Sequence, residues 1–234
     1  SRGLGDVYKR QRLQKRGYDM EFQHELVIPD EGLPFKFFLF EGSQGNYVRE
    51  KHWHTSIEIF AVMEGSLTFY LNDEKHPLKA GELMIINSNE VHSIDSPEEN
   101  HTAVLQIPLK QFEDYFTAHR FIRFAANEQE TDSQLWRLIR EMYKLYGKRG
   151  TGYEFKIRSF YYDVLYLLVN HYRLDEAGEQ EVRHSRRLDA LARITSYMRE
   201  HYQEELKLTE VANMFGLSLI DISEPTRRTP ISYA

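Results

Sequence analysis

Four side chains in this 234-residue sequence have the types and spacing to act together: His52, His54, Glu58 and His92. Residues i and i+2 of a strand project to one face, so His52 and His54 can converge. Glu58 keeps the same parity if that strand continues unbroken, and His92 can return on a neighbouring strand beyond a turn. Three imidazoles and a carboxylate would hold a divalent first-row transition metal and leave positions open. The same four could instead line a pocket and hydrogen-bond a polar ligand or each other. Trp53, between the two histidines, and Tyr47, just upstream, extend the candidate pocket. In a third arrangement Trp53 marks the pocket rim with no metal involved.

Positioning these residues requires strands, and the sequence supplies them between about Glu25 and Ile107. The runs Phe35–Phe40, Ile57–Met63, Leu67–Leu71, Leu83–Ile86 and Thr102–Ile107 are rich in β-branched and aromatic residues. Turn chemistry separates them at Glu41-Gly42, Asn46, Glu64-Gly65, Asn72-Asp73, Ala80-Gly81 and Asn87-Ser88-Asn89. Many short strands at close spacing indicate a sandwich or barrel.

After Pro108 the period becomes helical. Lys110–His119 is a short amphipathic segment. From Thr131 to Gly147, Thr131 and Gln134 form a capping-box pattern, and Leu135, Leu138, Ile139, Met142 and Leu145 make one stripe. Tyr153–Tyr172 places Ile157, Phe160, Tyr161, Val164, Leu165 and Leu168 inward. Its further tyrosines widen the apolar surface, which suits either a helix buried on two sides, as in a dimer, or one packed on its own sheet. Residues 174–187 are polar and read as a linker. Leu188, Leu191, Ile194, Tyr197, Met198 and Tyr202 then share one helix face. In Leu208–Ser218, Thr209 is a candidate N-cap before Glu210 and Val211. Ala212 is small where a second helix must pack, and Gly216 suits a left-handed stop before Leu217 and Ser218.

Composition narrows the classes further. Apolar residues make up 41% and aromatics 13%, which excludes a disordered or collagen-like chain. Cysteine is absent, removing disulfides, thiolate zinc sites and cysteine nucleophiles. No run of apolar residues approaches the ~18 needed to cross a bilayer. Asp and Glu number 36 against 30 Lys and Arg, so any contact with nucleic acid needs a local basic surface.

The pattern H-x-H-x3-E-x6-G from His52 to Gly65, followed by G-x10-H from Gly81 to His92, resembles the two motifs of the cupin superfamily. That resemblance implies a small double-sheet barrel with a pocket between its sheets. Asn87 and Asn89 depart from it, standing where cupins often have Pro and Gly. Residues 194–202 with 206–218 resemble the opening of the DNA-binding domain of AraC-family transcription regulators. In that family a cupin-type effector domain comes first, then dimerising helices, a linker, and a domain with two helix-turn-helix units.

The resemblance implies an α+β chain in which a cupin-like sandwich or barrel (18–108) is followed by dimerisation helices (109–173). A linker (174–187) and the start of an AraC-type DNA-binding domain (188–218) come next. It implies a cytoplasmic, homodimeric regulator rather than an enzyme. Its partners would be a small-molecule effector, a sugar or other polar metabolite, and operator DNA in the complete protein. His52, Trp53, His54, Glu58, His92 and Tyr47 would form the effector pocket, with a divalent transition metal possible on the first, third, fourth and fifth of these. The rival class is a metal-dependent cupin enzyme, an isomerase or oxygenase, using the same His52, His54, Glu58 and His92.

Residues 1–11 and 219–234 resemble translated sequencing adapter, so the natural polypeptide is expected to be a fragment lacking the recognition helix. Segment 184–216 balances Arg186, Arg187, Arg193, Arg199 and Lys207 against Asp189, Glu200, Glu204, Glu205 and Glu210. With no net field for phosphate, this chain is expected not to bind a specific operator.

Overall fold

Among the described residues, eight strands occupy the first half of the chain. They are β1 (Gln23–His24), β2 (Lys36–Glu41), β3 (Tyr47–Trp53), β4 (Ile57–Leu71), β5 (Glu74–Lys79), β6 (Leu83–Ile86), β7 (His92–Ser96) and β8 (Asn100–Ile107). A 3₁₀ segment (Leu109–Tyr115) leads to helices α1 (Gln129–Lys148) and α2 (Tyr153–Leu167), the latter closed by a π turn at Leu168–Tyr172. Two more helices follow, α3 at residues 190–198 and α4 at Leu208–Met214. This computed structural model describes residues 23–42, 47–72, 74–116, 122–125, 129–174, 190–198, 200–204 and 206–216. The adapter-like ends, residues 175–187 of the linker, Leu217 and Ser218 lie outside the described residues.

The strands run in the order β1-β3-β7-β4-β8-β2, with β5 and β6 also paired to β4. β4 belongs to two layers. Its first half pairs with β6 and β8, and Ser66–Leu71 pairs with β5, with β7 beside it. The crossing falls at Gly65, whose φ is +74° and where an added Cβ would lie 2.1 Å from the Glu99 carbonyl oxygen. The sequence reads Glu64-Gly65 as a turn between two strands. It is a bend within one 15-residue strand, with a register shift between Val62 and Glu64.

Side-chain parity on β4 and β8 divides the core. Ile57, Ile59 and Ala61 with Ala103, Leu105 and Ile107 join Leu135, Ile139, Ile157, Tyr161 and Val164 of the helices in one buried cluster. The alternate residues Phe60, Val62 and Val104 face the other layer and pack with Leu67, Phe69, Ile86 and Ile94. Each fully buried side chain of this size contributes roughly 1.5–3 kcal/mol. The helices thus pack on the outer face of the β4–β8 layer, and the residues on the inner parity, Glu58 and Gln106 among them, are directed at the opposite layer.

The helices differ from the sequence expectation in detail. α1 begins at Gln129, so Thr131 lies inside its first turn rather than capping it. The segment expected as an amphipathic helix from Lys110 is a 3₁₀ stretch in which only Phe112 is buried. α2 packs on its own sheet through Ile157, Tyr161 and Val164, while Phe155, Tyr162 and Tyr166 are exposed on its far side. α3 lies against the barrel, where Ala192 packs with Trp53 and Val91. Among the described residues, no helix is long and apolar enough to cross a membrane.

Candidate functional site

Strand register brings the histidines together. His52, near the end of β3, is the partner of His92 at the start of β7. β3 stops at Trp53, and His54 sits in the link to β4. Glu58 therefore does not share a strand with His52, as parity along one strand would require. It enters from β4 in the opposite layer, on the inner parity. The ring centroids of His52 and His92 are 4.1 Å apart, those of His54 and His92 5.1 Å, and those of His52 and His54 6.2 Å.

Each imidazole is anchored from behind. Nδ1 of His52, His54 and His92 donates to the carbonyls of Glu50, Ser56 and Glu90 at 2.9, 3.0 and 2.9 Å. Carbonyl oxygen only accepts, so these bonds put a proton on Nδ1 and direct Nε2 toward the other side chains. Nε2 of His54 lies 3.0 Å from Glu58 Oε2, and Nε2 of His92 lies 3.2 Å from the same oxygen. Glu58 Oε1 accepts from the Gln106 amide at 2.7 Å. Gln106 Oε1 is buried without a partner.

The charges follow from these contacts. Burial disfavours the ionised Glu58 carboxylate, but the positive charge favoured on His54, its hydrogen bond and the nearby His92 ring outweigh it and hold the group far below the usual carboxylate range. Burial likewise pushes the His54 pKa down, and the Glu58 carboxylate reverses that to a net increase. His52 is different: burial, then the neighbouring His92, lowers it to about 4, so it is neutral near pH 7. The cluster therefore contains a buried His54–Glu58 hydrogen bond in which each partner favours the other's charged form, and a neutral His52 imidazole.

Two residues that motif spacing does not mark complete the site. Gln106 is a polar residue at an inner position of the apolar run Thr102–Ile107, a signal that could have found it. Glu25, beside β1, brings Oε2 to 3.4 Å from His52 Nε2 and 2.9 Å from Arg49 Nη2. Burial raises the Glu25 pKa, but Arg49, aided by His52 and His54, leaves it lowered. A cleft of about 340 Å³ between β1 and β3 reaches this point, with Glu25, Arg49, Lys51 and His52 on its walls.

Trp53, expected in the pocket, lies on the reverse of β3. Trp53 is 4% exposed and packs with Ala192 and Val91, its ring 4.5 Å from that of His24. Alternation along β3 turns it away from the histidines, so it backs the site rather than forming the rim. Tyr47 begins β3 opposite Ser96. Asn87 clasps Phe124, donating to its carbonyl at 3.0 Å and accepting from its amide at 2.7 Å. Asn89 takes φ +66°, a conformation asparagine tolerates better than most residues.

Could the cluster hold a metal? Each of the three imidazoles offers a nitrogen within 4.8 Å of the others'. The Nδ1–carbonyl anchors fix ring orientation in the manner that supports metal-ligating histidines. The nearby Glu58 carboxylate supplies negative charge. The residues present therefore fit a divalent transition ion.

In the C-terminal segment, Val211 and Ala212 are buried, and Thr209 and Glu210 are exposed in the first turn of α4. Lys207, not Thr209, is the N-cap, because its carbonyl accepts the first bonds from Glu210 and Val211 at 3.0 and 3.1 Å. Gly216 follows the helix with φ +66°, the left-handed stop its position suggests.

A curled cupin-like sheet with imidazoles on its inner side, backed by helices, is the class of domain these features define. The chain belongs to the AraC-like ligand binding domain family, which matches residues 34–165, more than half of its length. It is 21% identical over 201 residues to the uncharacterized HTH-type transcriptional regulator YdeC of Bacillus subtilis (strain 168), covering 78% of this chain and 67% of that protein. Among solved structures it is similar to a cupin superfamily protein of Desulfitobacterium hafniense, at 10% identity and a TM-score of 0.32, over 36% of this chain and 74% of that one. A cupin-2 domain containing protein of Shewanella frigidimarina is 28% identical with a TM-score of 0.28, over 34% of this chain and 76% of that one. The family match makes residues 34–165 an AraC-like ligand binding domain.

Proposed function

We propose that this chain is the sensing part of a cytoplasmic, dimeric transcription regulator, in which a small molecule is read at a metal held by His52, His54, His92 and Glu58. The observation that supports the reading is that His52, His54 and His92 each offer a nitrogen within 4.8 Å of the others', while an Nδ1–carbonyl bond fixes each ring from behind. When bound, the ion would supply Lewis acidity and a place for a ligand's oxygen or nitrogen. The protein's own side chains do the rest. Gln106 orients Glu58, the carbonyls orient the rings, and burial excludes water.

Sensing requires that ligand prefer one conformational state over another. The packing of Ala192 on Trp53 supports a route from the site to the C-terminal helices, which we read as the start of a DNA-binding domain with Thr209, Glu210, Val211, Ala212, Gly216, Leu217 and Ser218 in its first half. The exposed Tyr162 and Tyr166 on α2 are consistent with dimerisation through that face. The family match favours a regulator over the enzyme that the same donors could serve.

Elemental analysis and thermal melts test the proposal. The purified chain is expected to carry about one equivalent of a first-row divalent metal, or to gain thermal stability on its addition by mass action. His54→Ala should abolish both effects while melting cooperatively. A chain that binds no divalent ion, and whose melting temperature no metal raises, would overturn the metal centre.

A further inference from the structure

The Glu25 carboxylate meets cations from two strands. Its Oε2 is 2.9 Å from Arg49 Nη2 and 3.4 Å from His52 Nε2, and its Oε1 is 3.7 Å from Lys36 Nζ. Two permanent cations and the least buried imidazole of the cluster thus converge on one carboxylate group, which the chain itself provides. The other carboxylate of the cluster, Glu58, is engaged by His54, His92 and Gln106. Of the acidic residues lining the cleft, Glu50 is exposed, and Glu25 is the one paired to these cations.

Glu25 is lightly held in this seat. β1 comprises only Gln23 and His24, paired with His52 and Trp53, and one further backbone bond joins the Glu25 amide to the Trp53 carbonyl at 2.8 Å. Partly exposed ion pairs are individually weak. A rotation of the Glu25 side chain would open the seat without breaking the sheet. The cleft at this point, about 340 Å³, has the volume of a small-ligand site.

We infer that Glu25 is an internal stand-in for the effector, occupying with its own carboxylate the seat that the carboxylate of a small organic acid takes on binding. The inference rests on the sensing function proposed above and names the class of molecule sensed. Exchange of one carboxylate for another leaves Arg49 and Lys36 neutralised in both states. A neutral sugar or polyol entering the same place would strip both cations of their counter-charge. The planar guanidinium of Arg49 also matches a carboxylate's two oxygens better than it matches a hydroxyl. The cation set at this seat therefore favours an acid over the neutral sugar that the sequence leaves open.

Calorimetric titration of the 234-residue chain with acetate, succinate and benzoate, at constant ionic strength, tests this against acetamide and ribose as neutral probes and inorganic phosphate as another anion. At least one carboxylate is expected to bind the wild type or the Glu25→Gln variant, with the variant about tenfold tighter because its seat is no longer contested. Glu25→Ala should move affinity in the same direction, guarding against a glutamine that stays in place. Arg49→Ala should weaken carboxylate binding by a similar factor. Carboxylate affinity indifferent to both Glu25 variants, a preference for phosphate, or no carboxylate binding in any variant would each overturn the inference. Binding of ribose or of divalent metal alone would do so while leaving the sensing reading intact. Failure of every probe and every metal would remove both.

Discussion

Gln106 gives the most direct access to the site's internal logic. Its amide donates at 2.7 Å to Glu58 Oε1, and both side chains are almost wholly buried. A hydrogen bond to a buried carboxylate contributes about 1.5–3 kcal/mol. In Gln106→Leu that contribution disappears, but so does the buried, unpartnered Gln106 Oε1, whose confinement costs about 1–3 kcal/mol. The two changes oppose each other, so global stability in urea should move by less than about 2 kcal/mol. Metal affinity has no such compensation. Without the amide, Glu58 is free to rotate Oε2 away from His54 and His92, and loss of a supporting partner of this kind typically weakens binding ~10–100-fold. Cobalt(II) titration followed by its visible absorption, in competition with a chelator of known strength, measures the change. A dissociation constant within about twofold of wild type, in a variant that unfolds normally, would refute the claim that Gln106 acts through Glu58.

Other outcomes follow from the same geometry. Tyr161 is fully buried and its hydroxyl has no partner, so Tyr161→Phe should raise stability by about 1–2 kcal/mol in chemical denaturation; a loss would mean the hydroxyl is satisfied after all. Gly65→Ala places a Cβ against the Glu99 carbonyl at a positive φ, and should cost more than about 2 kcal/mol or prevent folding; a neutral result would mean β4 bends elsewhere. Metal uptake near pH 6.5 should release protons, because the Glu58 carboxylate favours the protonated form of His54 and a ligating His54 must give up its Nε2 proton; an indicator dye in unbuffered solution reads this, and zero release would remove His54 from the ligand set. Tyr162→Glu with Tyr166→Glu should convert a dimer to monomer by light scattering without changing the melting temperature by more than a few degrees; an unaltered dimer would move the interface off α2.

The β-region was legible because its strands alternate on a buried sheet, and Leu83–Ile86 matches β6 residue for residue. β4 was divided in two because a glycine after an acidic residue usually marks a turn, and nothing local distinguishes a bend that passes a strand between layers. The sequence points to Glu58 for a reason the fold does not use. Its spacing from His54 is that of a continuous strand, yet the strand breaks between them and the carboxylate arrives from the opposite layer. Glu25 was invisible, since it lies 27 residues before His52 with no motif between, and only the parallel pairing of Gln23 and His24 onto β3 carries it to the imidazoles. Side-chain spacing along a chain reports neighbours within a strand; contacts across layers depend on register, which depends on bends such as the one at Gly65.

Trp53 is one of two tryptophans, and Trp136 on α1 is the other, its indole donating to the Val62 carbonyl. Trp53 touches both Ala192 and the ring of His24 while joining two imidazoles through its backbone. Replacing Trp136 by phenylalanine would leave a single natural fluorophore at the junction of barrel and C-terminal helix. Its emission would redden if α3 lifted away and dim if a paramagnetic ion settled among the histidines. Such a variant would contain an unlabelled optical gauge that tests for both events, and the time course of each could be followed in one cuvette.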